Sequence, residues 1–125
     1  MPNCSTTYLG LQLRNPIIVA SSGLSKNIER VRDCEQAGAG AVVLKSLFEE
    51  VLAQKDFGLK EGTVDHTEAY DYYLAHLELL YGASDYTDLI KQAKAEISIP
   101  VIASINCVSG KWWPDFARQI EGAGA

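Results

Sequence analysis

The sequence predicts an α/β fold on three observations. The continuous apolar runs Pro16–Ala20 and Ala41–Leu44 have the pattern of strands buried on both faces, and Val101–Ile105, apolar but for Ser104, reads as a third strand. Helical periodicity separates them, and strands alternating with helices imply a parallel sheet with right-handed crossovers. The third observation is an internal echo. Glu35-Gln36-Ala37-Gly38-Ala39-Gly40-Ala41 leads into the second strand, and Glu121-Gly122-Ala123-Gly124-Ala125 repeats it. By that echo a fourth strand is due after Ala125, so the chain reads as truncated before strand 4. A (β/α)8 TIM barrel takes about 250 residues; residues 1–125 would be its N-terminal half, a hairpin followed by about three β/α units.

Residues 5–14 alternate around Gly10 and read as the hairpin. Pro16–Ala20 is the first barrel strand, and it ends in Ser21-Ser22-Gly23. Ile28, Val31, Cys34 and Ala37 then recur at helical spacing, with Ser25 or Asn27 available as N-cap and Gly38 as the stop. Ala41–Leu44, the second strand, ends in Lys45-Ser46. A helix after Asp85 carries Tyr86, Leu89, Ile90, Ala93 and Ile97 on one face. Ser98-Ile99-Pro100 breaks it, and Val101–Ile105 is the third strand, ending at Asn106-Cys107. A last helix spans about 113–121, from near Pro114 to Gly122. Between these, 47–84 is less regular: Tyr70, Tyr73, Leu74, Leu77 and Tyr81 suggest a helix, and 55–65 reads as loop.

Composition narrows the function. Eleven Lys plus Arg against sixteen Asp plus Glu give a net charge of -5 and a pI near 4.9. With no basic cluster, a nucleic-acid surface is not expected. No apolar run approaches the roughly 20 residues of a membrane span, and Met1-Pro2-Asn3-Cys4-Ser5 lacks the features of a signal peptide. Cys4, Cys34 and Cys107 are far apart with no CxxC pair, which argues for a reducing compartment and against a zinc site. A cytoplasmic protein is expected.

In parallel α/β architectures ligands bind at the carboxyl ends of the strands. Three such ends are visible: Ala20-Ser21-Ser22-Gly23, Lys45-Ser46 and Ser104-Ile105-Asn106-Cys107. Small residues let a planar ligand approach the backbone, and Ser and Asn supply donors and acceptors; a plain turn also accounts for Ser-Ser-Gly. Lys45 follows an apolar strand and points across the barrel mouth. There it can neutralise a phosphate, form a Schiff base or stabilise charge on a cofactor, or it can snorkel to solvent. His66 and His76 have no metal-ligand spacing. Cys107 reads as a small buried thiol and Trp112-Trp113 as helix packing. Glu49-Glu50 reads as a solvated pair, and Tyr70, Tyr72 and Tyr73 as an amphipathic helix face or a cleft wall.

At these strand ends the sequence resembles the dihydroorotate dehydrogenase family. The resemblance is carried by Asn15-Pro16 through Ser21-Ser22-Gly23, by Ala37-Gly38-Ala39-Gly40-Ala41 through Lys45-Ser46, and by Ile99-Pro100 through Ser104-Ile105-Asn106-Cys107. The last segment is also similar to the flavin domain of dihydropyrimidine dehydrogenase. The order and spacing of the three match over essentially the whole chain. The resemblance implies a (β/α)8 barrel with FMN at its carboxyl face and the hairpin closing its bottom. It implies an FMN-dependent oxidoreductase of pyrimidine biosynthesis, oxidising dihydroorotate to orotate and forming a homodimer when full length.

Ala20, Ser21 and Ser22 would contact FMN, partly through backbone; Lys45 would lie near the flavin ring, with Ser46 beside it and Asn106 as a wall. A cation at Lys45 suits a cofactor that gains negative charge on accepting hydride. The family's catalytic base would lie beyond Ala125, so these 125 residues alone would be inactive. The family carries Asn-x-Met-Gly-Leu-Pro between strands two and three. Here that region contains Gly62-Thr63-Val64-Asp65-His66-Thr67-Glu68-Ala69-Tyr70, without the motif, so a pyrimidine-like small molecule is the substrate class expected and its identity stays open. Two other readings remain: a Schiff-base lyase or aldolase using Lys45, and a non-catalytic half-barrel binding module.

Overall fold

The computed structural model of the chain describes residues 2–48, 83–106, 110 and 113–125. β1 (Thr6–Tyr8) and β2 (Leu11–Leu13) form the expected hairpin, antiparallel, with Tyr8 opposite Leu11. Leu9 and Gly10 turn the chain, both at positive φ (49° and 80°), as a two-residue hairpin turn matched to strand twist requires. Gly10 adopts this freely. Leu9 does not, and its side chain is 80% exposed, so no packing offsets the strain. Leu9→Asn is expected to stabilise the protein by about 1 kcal/mol, read as a higher thermal midpoint.

The chain continues through β3 (Ile18–Val19), a 3-10 turn (Gly23–Ser25), α1 (Ile28–Gln36), β4 (Ala41–Val43), β5 (Leu47–Phe48), α2 (Ala83–Glu96), β6 (Val101–Ile102), β7 (Ile105–Asn106) and α3 (Trp113–Ala123). β3, β4 and β6 form a parallel sheet in that order, and β5 pairs in parallel with β7. Val31 of α1, Ile90 of α2 and Phe116 of α3 join Val42, Leu44 and Val101 in one core. The three described helices therefore share a single face of the sheet. The register pairs Val43 with Ile102; both are half-buried and lie on the opposite face. Such a unit occurs in closed barrels and in doubly wound sheets alike.

The amino ends of the strands are held by hydrogen bonds to the helix termini. Asn27 caps α1, its side chain accepting from the Arg30 N–H at 3.0 Å, and Gly38 ends the helix at φ 98°, the left-handed position where glycine is favoured. Arg14 donates through Nε to the Ala39 carbonyl (2.9 Å) and through Nη2 to the Glu35 carbonyl (2.7 Å). Asn15 Nδ2 donates to the Gly38 carbonyl (2.8 Å). Arg32 pairs with Glu96, joining α1 to the end of α2.

The Glu35 carboxylate accepts from the hydroxyl and the N–H of Ser98 (2.6 and 2.7 Å). The Ser98 hydroxyl, followed by the backbone N–H, holds that carboxyl below its ordinary value of 4.5. A group whose pKa is depressed by folding stabilises the protein above its unfolded value and loses that contribution as pH falls through the folded one. Glu35→Gln is therefore expected to lower stability at neutral pH. It should also flatten the loss of stability below about pH 4.5, as measured by denaturant unfolding across a pH series.

Three elements differ from the sequence expectation. Leu47–Phe48 is a strand within a stretch that carries no clear periodicity. The third strand is not continuous: β6 stops at Ile102 and β7 starts at Ile105, because Ser104 bonds to the Tyr86 side chain (below). α2 ends at Glu96, and Ile97 is buried just past it. The expected helix around Tyr70–Tyr81, the loop 55–65, Glu49-Glu50, His66, His76, Cys107 and Trp112 lie outside the described residues. Trp113 opens α3 and is 46% exposed.

Candidate functional site at the carboxyl ends of the strands

Because β3, β4 and β6 run parallel, the residues that follow them emerge at one edge. The sheet backbone reaches that edge through bonds from Val42 N–H to the Pro100 carbonyl (3.1 Å) and from Leu44 N–H to the Ile102 carbonyl (2.9 Å). Beyond it the side chains take over. Ser21 Oγ accepts from the Ser46 N–H at 2.8 Å and lies 3.0 Å from Ser46 Oγ. Ser46 Oγ lies 2.6 Å from Ser104 Oγ. Three serines from three separate strand ends thus form one hydrogen-bonded row.

The row has a countable donor capacity. Each hydroxyl carries one proton, and two hydroxyl–hydroxyl contacts consume two of the three. Among the described residues, one O–H donor of the row is left without an acceptor. The polarity of the row decides which serine carries it.

Lys45 sits beside this row. Lys45 follows the end of β4 by two residues and is half-buried, next to Leu44, which is fully buried in the helix-side core. Its N–H donates to the Ser25 carbonyl at 3.2 Å, which ties the β4 end to the loop after β3. Among the described residues its ammonium has no ion-pair partner.

Of the other expected flavin contacts, Ala20 is exposed next to Ser21, and Asn106 is exposed in β7, paired in register with Phe48. The Ser22 hydroxyl is committed to structure. It accepts from the Leu24 N–H at 3.2 Å, while Ser25 Oγ, fully buried, accepts from the Ser22 N–H at 3.4 Å. This reciprocal cap holds the 3-10 turn, and the Ser22 carbonyl is engaged as well, accepting from the Ser25 N–H (3.2 Å) and the Ser25 hydroxyl (3.3 Å). Sequence reasoning offered Ser25 as an alternative cap for α1; the structure uses it here.

Two residues complete the site that the sequence did not single out for it. Ser104 was visible as part of a strand end, and it closes the row. Tyr86 reads from periodicity as a core residue, and its ring is indeed buried, 1% exposed. Its hydroxyl accepts from the Ser104 N–H (2.9 Å) and donates to the Ser104 carbonyl (3.1 Å). Burial pushes the Tyr86 phenol pKa up.

Two grooves flank the sheet, and neither is lined by Ser21, Lys45, Ser46 or Ser104. A groove of about 470 Å³ runs beside β6, lined by Leu11, Val101, Ile102, Ala117 and Ile120. A second, of about 380 Å³, runs beside β3, lined by Ile17, Val19, Leu24, Cys34 and Ala39. The Cys34 thiol donates to the Leu24 carbonyl (3.4 Å), and burial, followed by the Asp33 charge, pushes its pKa up. That is the opposite of an activated nucleophile. Among the described residues no His, Cys, Asp and Glu cluster could hold a metal ion, and no helix is long and apolar enough to cross a membrane.

No model of a known protein family matches the chain, and no curated protein matches it significantly.

Proposed function

We propose that the chain is the front of an FMN-binding (β/α)8 barrel, an oxidoreductase of the dihydroorotate dehydrogenase type, with the serine row and Lys45 as its contribution to the flavin site. The observation that carries the reading is the convergence of Ser21, Ser46 and Ser104 at one sheet edge beside Lys45. The donor set fits the group. One spare hydroxyl proton and one ammonium offer hydrogen bonds to a ligand edge rich in acceptors. The flavin pyrimidine ring has such an edge, and it gains negative charge on reduction.

When bound, FMN would supply hydride acceptance. The chain's own residues would orient it: Ala20 and Ser21 admit the planar ring close to the backbone, the serine row donates to an oxygen or nitrogen at its edge, and Lys45 stabilises the charge that develops there. Asn106 would border the site on the β7 side. The grooves beside β3 and β6 are compatible with the barrel, since a further β/α unit at either sheet edge would cover them. Among the described residues no group at this edge is assigned the part of a catalytic base. A pyrimidine-like substrate, a homodimer and a cytoplasmic location belong to the same proposal.

The test is equilibrium titration of FMN into the protein purified from its native host and stripped of bound flavin, followed by flavin fluorescence. Saturable uptake near one FMN per chain is expected. Absence of uptake, together with covalent trapping of a carbonyl substrate on Lys45 by borohydride, would replace the flavin reading with the Schiff-base one.

A further inference from the structure

We infer that Tyr86 is the positioning residue of the serine row, setting through the Ser104 backbone the direction in which Ser46 and Ser21 present their hydroxyls. That the row serves a flavin rests on the function proposed above; the role of Tyr86 within the row does not.

Packing explains the ring of Tyr86 but not its hydroxyl. α2 covers the sheet with Leu89, Ile90 and Ala93, and an apolar side chain at 86 would fill the same space. Instead a polar atom is carried into the core and aimed at both backbone groups of one residue, Ser104. Ser104 lies where β6 has ended and β7 has not begun, and among the described residues its N–H finds its acceptor in the Tyr86 oxygen. A part-buried N–H in that position is satisfied by this acceptor. The Ser104 carbonyl also accepts from the Leu47 N–H at 2.9 Å. One hydroxyl from the helix layer thus fixes the point where β5 and β7 separate from the main sheet.

From that point the contacts run in series to the open edge. Ser104 Oγ lies 2.6 Å from Ser46 Oγ, and Ser21 Oγ receives the Ser46 N–H. If Ser104 turns about its backbone, Ser46 loses a partner and the row loses its order. A phenol is protonated at neutral pH, so the Tyr86 hydroxyl donates to the Ser104 carbonyl while it accepts from the Ser104 N–H.

The test compares the wild-type chain with Tyr86→Phe by amide hydrogen exchange and by FMN titration. In the variant, exchange at the Ser104 and Ser46 amides is expected to accelerate by about tenfold or more. The amides of Val31 and Ile90 should keep their rates, and FMN should bind about tenfold more weakly. Unchanged protection at Ser46, or uniform acceleration that includes Val31 and Ile90, overturns the positioning role. A wild-type chain that takes up no FMN overturns the flavin reading, and the exchange pattern still decides the role of Tyr86. If Tyr86→Phe does not fold, a fluorinated tyrosine at position 86 retains ring and hydroxyl and alters hydrogen-bond strength by making the phenol more acidic. Amide shifts confined to Ser104 and Ser46 are then expected, and their absence overturns the inference.

Discussion

Gly40→Ala is expected to destabilise the protein by about 3 kcal/mol or more and to leave little folded material. The cause is a close approach of two backbones. A Cβ on Gly40 would collide with the carbonyl oxygen of Asn15, and would also lie 2.9 Å from Asn15 Oδ1 and 3.1 Å from the carbonyl carbon. Backbone atoms cannot rotate aside as a flexible side chain can. Nor can Asn15 retreat as a unit, because Nδ2 donates to the Gly38 carbonyl and Oδ1 accepts from the Ile17 N–H. The Gly40 N–H itself donates to the Ile17 carbonyl at 2.7 Å, at the amino end of the β3–β4 pairing. Gly122→Ala is the control. It places a Cβ in open space on α3, and replacing a helical glycine should leave stability unchanged or raise it by up to about 1 kcal/mol. Urea unfolding of both variants measures the contrast.

Lys45→Met is expected to do the reverse: little change in stability and a large change in ligand affinity. The side chain is half-buried and, among the described residues, unpaired, and methionine retains most of its apolar stem. A lost charge-assisted hydrogen bond is worth about 1.5–3 kcal/mol, so FMN affinity should fall by about tenfold to a hundredfold. The reduction potential of bound flavin should become more negative, because the cation favours the more negatively charged reduced form. Equal affinity in the two proteins would remove Lys45 from the site. A parallel loss of stability would make it a structural residue.

Periodicity made most of the fold readable. The hairpin, the three apolar strands and the helices beginning near Ile28, Asp85 and Pro114 follow from alternation and 3.6-residue spacing, which are local properties. The interruption of the third strand is not local. Val101-Ile102-Ala103-Ser104-Ile105 has the composition of one unbroken strand; what divides it is a hydroxyl from residue 86, brought there by the packing of α2. β5 was hidden for the same reason, since its partner β7 exists only because the third strand is divided.

The site was legible to a similar degree. Ser21 and Ser46 share a hydrogen bond across 25 positions of sequence, and strand ends predict that kind of convergence. The Ser22 hydroxyl is occupied by a cap, which Ser22-Gly23-Leu24-Ser25 could have signalled as a polar residue repeated at a three-residue interval. Ser104 stood in plain view at a strand end, but only its 2.6 Å contact with Ser46 distinguishes it from its neighbours. Tyr86 carried no signal apart from being the one tyrosine on an otherwise aliphatic stripe.

The most direct test of the central claim is the flavin content of the protein isolated from its native host, measured as FMN released per chain on denaturation. About one FMN per chain is predicted, with uptake by the stripped protein weakened by Lys45→Met. No released flavin, and no saturable uptake of added FMN by the wild-type protein, would contradict it.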